Sequence, residues 1–390
     1  MRGVHTGQTR GPDEPSGLQV SYPATVGDYV SAAVATRDAS ALISPDASKA
    51  IGKIAVGLPA ALTRFFGFEC PLQTDRATAD FLICCKLRGA GLNILSGLRT
   101  SHPLPSHFQQ SDVWRRILLF SKEWVQPDSP VFQAVNSLWL EFDVDGISFD
   151  LPVPSVFIGT DQLRPGDALG QSRRTCGDHA WLTDRALPML LGDSLDPAVK
   201  RKIALCVNRL PPGAHVFQVG LMLARNCNAV RICVRGIPLT QIGGYLEDLE
   251  WHTSGALNII LDALAQKVDR VDIDLDITDR VLSKIGLECY LGKSSSQLAG
   301  FLDHLVSSGL CTPRKASAIV NWPGAANLAA PRRDLAHGAQ TASRQFESVS
   351  TEFLERELHH VKLDYRDVKL EQAKAYLGVR LRPQTRQSRP

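Results

Sequence analysis

The sequence predicts an α+β protein, built on a large antiparallel sheet, open or closed into a barrel, in which hairpins alternate with helix pairs. Three observations predict it. Several segments alternate apolar and polar residues with a period of two on either side of a short polar turn, the pattern of a half-buried hairpin. The segments between them carry apolar stripes at helical spacing. Helix pairs separating hairpins do not give the βαβ rhythm of a doubly wound parallel sheet.

The clearest hairpin is Asp269 to Tyr290. Val271, Ile273, Leu275 and Ile277 alternate with Asp272, Asp274 and Asp276, and Thr278-Asp279 make the turn. Ile285, Leu287 and Cys289 then alternate with Gly286, Glu288 and Tyr290. Successive strand side chains point to opposite faces, so one face of this hairpin joins a core and the other carries acids.

The remaining elements follow in order. Residues 1–25 read as a polar tail, and Val26 to Leu62 gives no clear assignment. Asp75 to Arg88 reads as a helix capped by Thr74 or Asp75. Ser111 to Val125 is a stronger helix, with Val113, Trp114, Ile117, Leu118 and Trp124 on one stripe and Pro127 after it. In Ser137 to Asp145, Leu138, Leu140 and Phe142 alternate with Trp139, Glu141 and Asp143. Asp145-Gly146 is a turn signal, and Ile147 to Ile158 returns. Residues 159–177 form a polar loop. Asp178 to Leu191 and Asp196 to Arg209 are two helices, and His215 to Arg225 with Ala229 to Arg235 is the next hairpin. Pro238 to Glu250 and Ser254 to Val268 are helices leading into the acidic hairpin. Ser294 to Ser308 is another helix, Thr312-Pro313 starts a short one, and 324–345 is a linker. The last hairpin runs from Glu357 to Arg382, and 383–390 is a basic tail. Residues 26–382 are thus expected to form a single domain.

Composition narrows the function. The chain has 390 residues, 44% hydrophobic and 21% charged, enough for a sizeable core. Its net charge of +3 argues against a nucleic-acid binder. No apolar run has the length of a membrane span, and no secretory signal is seen, which gives a cytoplasmic expectation. Nine cysteines without paired spacing suit reduced, buried thiols.

The polar hairpin faces collect the chemistry: Glu141 and Asp143, Gln218, Arg231 and Arg235, the three aspartates with Glu288 and Tyr290, and Lys362, Asp364, Lys374 and Tyr376. On an open sheet these would be solvated cross-strand pairs. In a cleft, crowded carboxylates would shift each other's pKa, and one could act as acid or base. Asp272, Asp274 and Asp276 invite a cation, but one strand gives poor octahedral geometry, and no metal is expected. His359 and His360 point to opposite faces of their strand. Gly292-Lys293-Ser294 fails the spacing of a phosphate loop, Gly89-Ala90-Gly91 lacks a third glycine, and no nucleophile elbow occurs. No cofactor is expected. Trp139 shares a face with Glu141 and Asp143, where a ring could stack on a ligand.

Gly286-Leu-Glu-Cys, Asn321-Trp-Pro-Gly, His360-Val-Lys-Leu-Asp-Tyr and Lys374-Ala-Tyr-Leu-Gly together resemble the crocagin-type peptide-binding maturation proteins of bacterial ribosomally made peptide pathways. That resemblance would cover roughly 110–382. It implies a precursor-peptide ligand, partner maturation enzymes, and no nucleic acid or membrane. Arg231 and Lys374-x-Tyr376 on strands also resemble the antiparallel-barrel aromatic prenyltransferases, where inward Arg, Lys and Tyr hold a diphosphate and shield an allyl cation. The acidic hairpin departs from that pattern, since carboxylates repel a diphosphate.

The leading expectation is therefore a peptide-binding protein acting in maturation by cyclisation. Trp139, Glu141, Arg231, Asp274, Lys374 and Tyr376 would contact the ligand, and Glu288 would be its acid or base. The alternatives are a barrel prenyltransferase, which predicts a closed barrel, and a non-catalytic scaffold, which predicts a flat, wet sheet face.

Overall fold

The computed structural model describes residues 25–383 except 37, 99–102, 145–151, 165–178, 226, 253, 293 and 329–351. The expected loop 159–177 and linker 324–345 fall largely outside those residues, as do nearly all of the tail 1–25 and most of 383–390.

Eleven strands make one antiparallel sheet: β1 Phe65–Pro71, β2 Asp80–Lys86, β3 Val135–Phe142, β4 Ser155–Leu163, β5 His215–Leu221, β6 Val230–Arg235, β7 Arg270–Ile277, β8 Val281–Tyr290, β9 Gly324–Asn327, β10 Glu352–Arg366 and β11 Lys369–Pro383. The strands run in the order β1 to β8, then β10 and β11, and β11 returns to pair with β1, so ten strands close a barrel. Short β9 pairs with the free first part of β10. The sheet is thus closed, with helices packed outside it.

Helix pairs precede each hairpin. Val26–Val34 and Pro45–Ala55 precede β1–β2; Asp112–Trp124 and Pro130–Ala134 precede β3–β4; Pro197–Asn208 follows a π-helical turn at Trp181–Ala186 and precedes β5–β6. Leu239–Asp248 and Gly255–Ala265 precede β7–β8, and Ser295–Ser307 and Pro313–Asn321 precede β10–β11. The repeat occurs five times. The first hairpin corrects the expected helix over Asp75 to Arg88. β2 is Asp-Phe-Leu-Ile-Cys-Cys-Lys, and it has apolar surroundings on both faces: Phe81, Ile83 and Cys85 meet the helices, Leu82 and Cys84 face inward. A strand buried on both faces loses its alternation, and the run then reads like a helix.

Caps and prolines set the helix starts. Ser111 accepts from the Trp114 amide, Asp196 from Ala198 and Thr312 from Lys315, with Pro197 and Pro313 in the first turns. Outward strand residues such as Phe66, Phe68, Leu140, Ile273, Leu287 and Val361 are buried against these helices. Each contributes roughly 1.5–3 kcal/mol of burial. The indole nitrogens of Trp124 and Trp251 donate to Val135 and Leu282 carbonyls at 2.9 and 3.0 Å, pinning the helix layer to the strands without orphaned donors.

The β10–β11 turn closes the last hairpin with two residues at positive φ, Asp367 at 47° and Val368 at 66°. Both angles suit a type I′ turn, yet a β-branched residue is strained there. Val368→Gly is expected to stabilise the protein by about 1 kcal/mol in denaturant unfolding; a loss of stability would contradict this account of the turn.

Candidate functional site

The period of two that puts Val271 and Ile273 outside puts Asp272, Asp274 and Asp276 inside the barrel. They meet the inward row of β6. Asp274 lies opposite Cys233 and Asp276 opposite Arg231. On the other side Asp272 lies opposite Glu288 and Asp274 opposite Gly286. The polar hairpin faces therefore converge on one enclosed interior.

Part of that interior is open space. A cavity of about 390 Å³ is lined by Trp139, Glu141, Arg231, Asp274, Glu288 and Tyr376, six of the seven residues singled out from sequence. Lys374 does not line it. Its ammonium lies further along β11, ion-paired with Glu69, which also accepts from the Tyr376 hydroxyl.

Three zones follow along the barrel. At one end ion pairs fill the interior: Lys374 with Glu69, Arg225 with Asp143 and Glu141, and Lys284 with Asp364 at 3.0 Å. Arg231 holds Asp276 with two parallel hydrogen bonds at 2.8 and 2.9 Å. Lys362 grips Asp274 beside it. Gly286 makes room for that pair, because a Cβ there would fall 1.6 Å from Asp274 Oδ1 and 2.6 Å from Lys362 Cε.

The middle zone is aromatic. The rings of Phe65 and Trp139 meet edge to face at 5.3 Å. His360 stacks on Tyr376 at 4.2 Å, and Phe157 and Phe217 complete the wall. At the far end sit Lys86, Arg235 and Arg380. Arg235 pairs with Asp272 at 2.8 Å and covers Phe217, its guanidinium carbon 4.1 Å from the ring centre. Arg380 pairs with Glu357 at 2.9 Å and lies over Phe65. Lys86 is exposed, and among the described residues no carboxylate pairs with it.

Burial and neighbours divide the carboxylates. Burial raises Glu69, but the Lys374 and Lys362 ammonium groups outweigh it and hold Glu69 at about 2. Asp274 is likewise lowered: burial opposes ionisation, and Lys362 and Arg231 overcome it. Glu141 and Glu288 go the other way. Burial first, then the charge of Glu69, pushes Glu141 up to about 7 despite Arg225. Burial first, then the charge of Asp274, pushes Glu288 up to about 7 despite Lys362. Glu288 Oε2 also accepts from the Tyr290 hydroxyl at 2.9 Å. Glu141 and Glu288 are thus poised to exchange protons near neutrality, which is where an acid–base group works best; burial also pushes Asp80 up to about 6 and raises Asp272 despite Arg235.

Three residues about the site, Glu69, His359 and His360, were not placed there by the sequence. Glu69 sits on β1, whose Phe-Phe-Gly-Phe-Glu-Cys-Pro run gives little alternation. The histidines are the sharper correction. A bulge between Leu358 and His360 breaks the alternation of β10, so His359 and His360 both line the cavity instead of facing opposite sides. Their Nδ1 atoms lie 2.8 Å apart. A bulge adds one residue to a strand and re-aims its side chains; the sequence carries no mark of it.

The three aspartates of β7 each have a cationic neighbour: Arg235 and Arg270 for Asp272, Lys362 for Asp274, and Arg231 for Asp276. Among the described residues no group of His, Cys, Asp and Glu has the arrangement of a metal site. No helix of the described residues is long and apolar enough to cross a membrane.

No protein-family model matches the chain, and no curated protein matches it. Among solved structures it is similar to that of AnaPT from Neosartorya fischeri, at 13% identity and a TM-score of 0.40, over 81% of this chain and 77% of that one.

Glu141 and Glu288 give a sign to the pH dependence of stability. A carboxyl whose folded pKa lies above its unfolded value favours the folded state while protonated, and that benefit is lost as pH rises from about 4.5 to about 7. Glu141→Gln and Glu288→Gln keep the shape and cannot ionise. Each is expected to stabilise the protein at about pH 8 by roughly 1–3 kcal/mol and to be near neutral at about pH 5, in thermal unfolding. Equal effects at both pH values would contradict the assignment.

Proposed function

We propose that the protein alkylates an aromatic acceptor with an allyl diphosphate inside the barrel. The observation that carries this reading is the closed barrel, with an aromatic belt between a cationic end and poised carboxyls. The cavity of about 390 Å³ suits small ligands and leaves little room for an extended peptide. Phe65, Trp139, Phe157 and Tyr376 offer π faces to an allyl cation and to a flat acceptor. Lys86 supplies positive charge for a diphosphate at the exposed end, beside Arg235 and Arg380, which are already paired with Asp272 and Glu357 and can offer only their remaining N–H donors.

The acidic hairpin, which argued against such a site, is already matched internally. Asp272, Asp274 and Asp276 are spent on arginine and lysine neighbours, and Glu288 is half protonated near neutrality. In the reaction the allyl C–O bond breaks and diphosphate leaves with the electron pair. A ring carbon of the acceptor attacks the cation and forms the new C–C bond. The Glu288 carboxylate takes the proton from that carbon, which restores aromaticity.

The test is diphosphate release and a mass gain of one allyl unit on members of an acceptor panel. Glu288→Gln is expected to lower kcat by about 100-fold or more. Lys86→Ala, at an exposed position that no ion pair among the described residues ties down, should raise KM for the allyl diphosphate by about 10-fold with kcat little changed. Absence of alkylation across the panel, with no diphosphate binding by calorimetry, would overturn the reading.

The peptide-maturation reading is favoured by one feature, the mixture of both charge signs with aromatic rings on one wall, which suits a peptide's terminal residue. It predicts micromolar binding of a short precursor peptide that is lost in Arg231→Gln. Binding of that peptide without allyl diphosphate binding would favour it over alkylation.

A further inference from the structure

The cavity wall holds an imidazole pair that the alkylation step leaves unused. His359 and His360 sit at the bulge of β10 with their Nδ1 atoms 2.8 Å apart. At that distance one Nδ1 must carry a hydrogen and the other must accept it. His360 is buried and its Nε2 has no hydrogen-bond partner. That nitrogen faces Glu288 Oε2 at 4.0 Å. A carboxyl shift of about 1 Å brings the two within hydrogen-bond reach. The His360 ring is held flat against Tyr376, at 4.2 Å and 16°. His359 is half-buried and reaches the Phe65 and Arg380 end of the cavity, its ring 6.0 Å from that of Phe65.

We infer that His360 and His359 form a proton wire that carries a proton from Glu288 towards the exposed end of the barrel by switching tautomers. The inference rests on Glu288 collecting a proton in the reading above. It begins with Glu288 protonated, His360 protonated on Nδ1 and His359 protonated on Nε2. The carboxyl proton moves to His360 Nε2. The His360 Nδ1 proton moves to His359 Nδ1, and the His359 Nε2 proton leaves to solvent. Three bound protons become two, and one is released. The carboxylate is ready again, neither ring passes through a lasting imidazolium, and the two rings, left in the opposite tautomers, must return to the first ones before a second proton passes.

The surroundings keep both rings neutral, as such a wire requires. Burial lowers His359 to about 4 and holds His360 well below the usual imidazole range, and His359, Lys362, Arg235 and Arg270 add to the effect on His360. The other groups facing the wire are Asp272 and Asp274 of β7, Tyr290 of β8, Tyr376 and Arg380 of β11, and Glu357 of β10. Among these, Tyr290 donates to the same Glu288 oxygen that faces His360.

The test is nitrogen-15 NMR of the full chain labelled in histidine, with no substrate present, swept from about pH 5.5 to pH 8.5 while the Glu288 carboxyl is followed by carbon-13. His359→Gln assigns the resonances. As Glu288 ionises, His360 Nδ1 is expected to change from the protonated to the unprotonated type and His359 Nδ1 to do the reverse, with neither ring becoming imidazolium. In Glu288→Gln the pair should stay in one tautomer throughout. Unchanged tautomers while Glu288 ionises, or imidazolium at either ring above about pH 6, would overturn the wire. The wild-type sweep decides the matter even if a variant fails to fold. A working wire in a protein that alkylates nothing would leave the wire standing and remove only the alkylation reading.

Discussion

Charge inside a closed barrel has no bulk water to turn to, and that constraint shapes everything else in this protein. An unpaired ion buried there would cost several kcal/mol. The interior answers with matched pairs: Lys362 with Asp274, Arg231 with Asp276, Arg235 with Asp272 and Lys374 with Glu69. The pairs hold neighbouring strands in register, and Gly286 is the small residue that lets the central pair close. Removing one member would strand the other, which is the expensive event for a buried ion pair.

The pairing also decides which acids stay poised. Glu69 and Asp274 each lie against a lysine ammonium that overcomes burial and holds them ionised. Glu288 faces Asp274 across the same space, and burial with the charges of Asp274 and Asp272 outweighs Lys362, opposite it on β10, and the Tyr290 hydroxyl. Glu141 stands between Glu69 and Arg225 with a similar outcome. The same low-dielectric interior that demands the pairs therefore lifts the carboxyls left over, and the aromatic belt above them gives a ligand somewhere to lie. Structure and chemistry share one cause.

Much of this was legible in the sequence, because it depends on strict alternation. The β7–β8 and β10–β11 hairpins showed which residues share a face, and Trp139, Glu141, Arg231, Asp274, Glu288 and Tyr376 do line one cavity. Closure was not legible: the pairing of Phe65–Pro71 with Lys374–Arg380 joins segments some 300 residues apart, and no local pattern encodes it. β2 was misread because both its faces are apolar. The histidine pair was misread because a bulge is a property of two strands together, and one strand's sequence does not reveal it.

The most direct measurement is the infrared spectrum of the carboxyl groups as a function of pH. The account predicts a protonated carboxyl band present at about pH 6 and gone by about pH 9, and clearly weaker at about pH 6 in the Glu141→Gln, Glu288→Gln double variant, where Asp80, pushed up to about 6 by burial, leaves the remainder. A spectrum with every carboxyl already ionised at about pH 6 would contradict it, because the interior would then be hydrated enough to keep its spare acids charged.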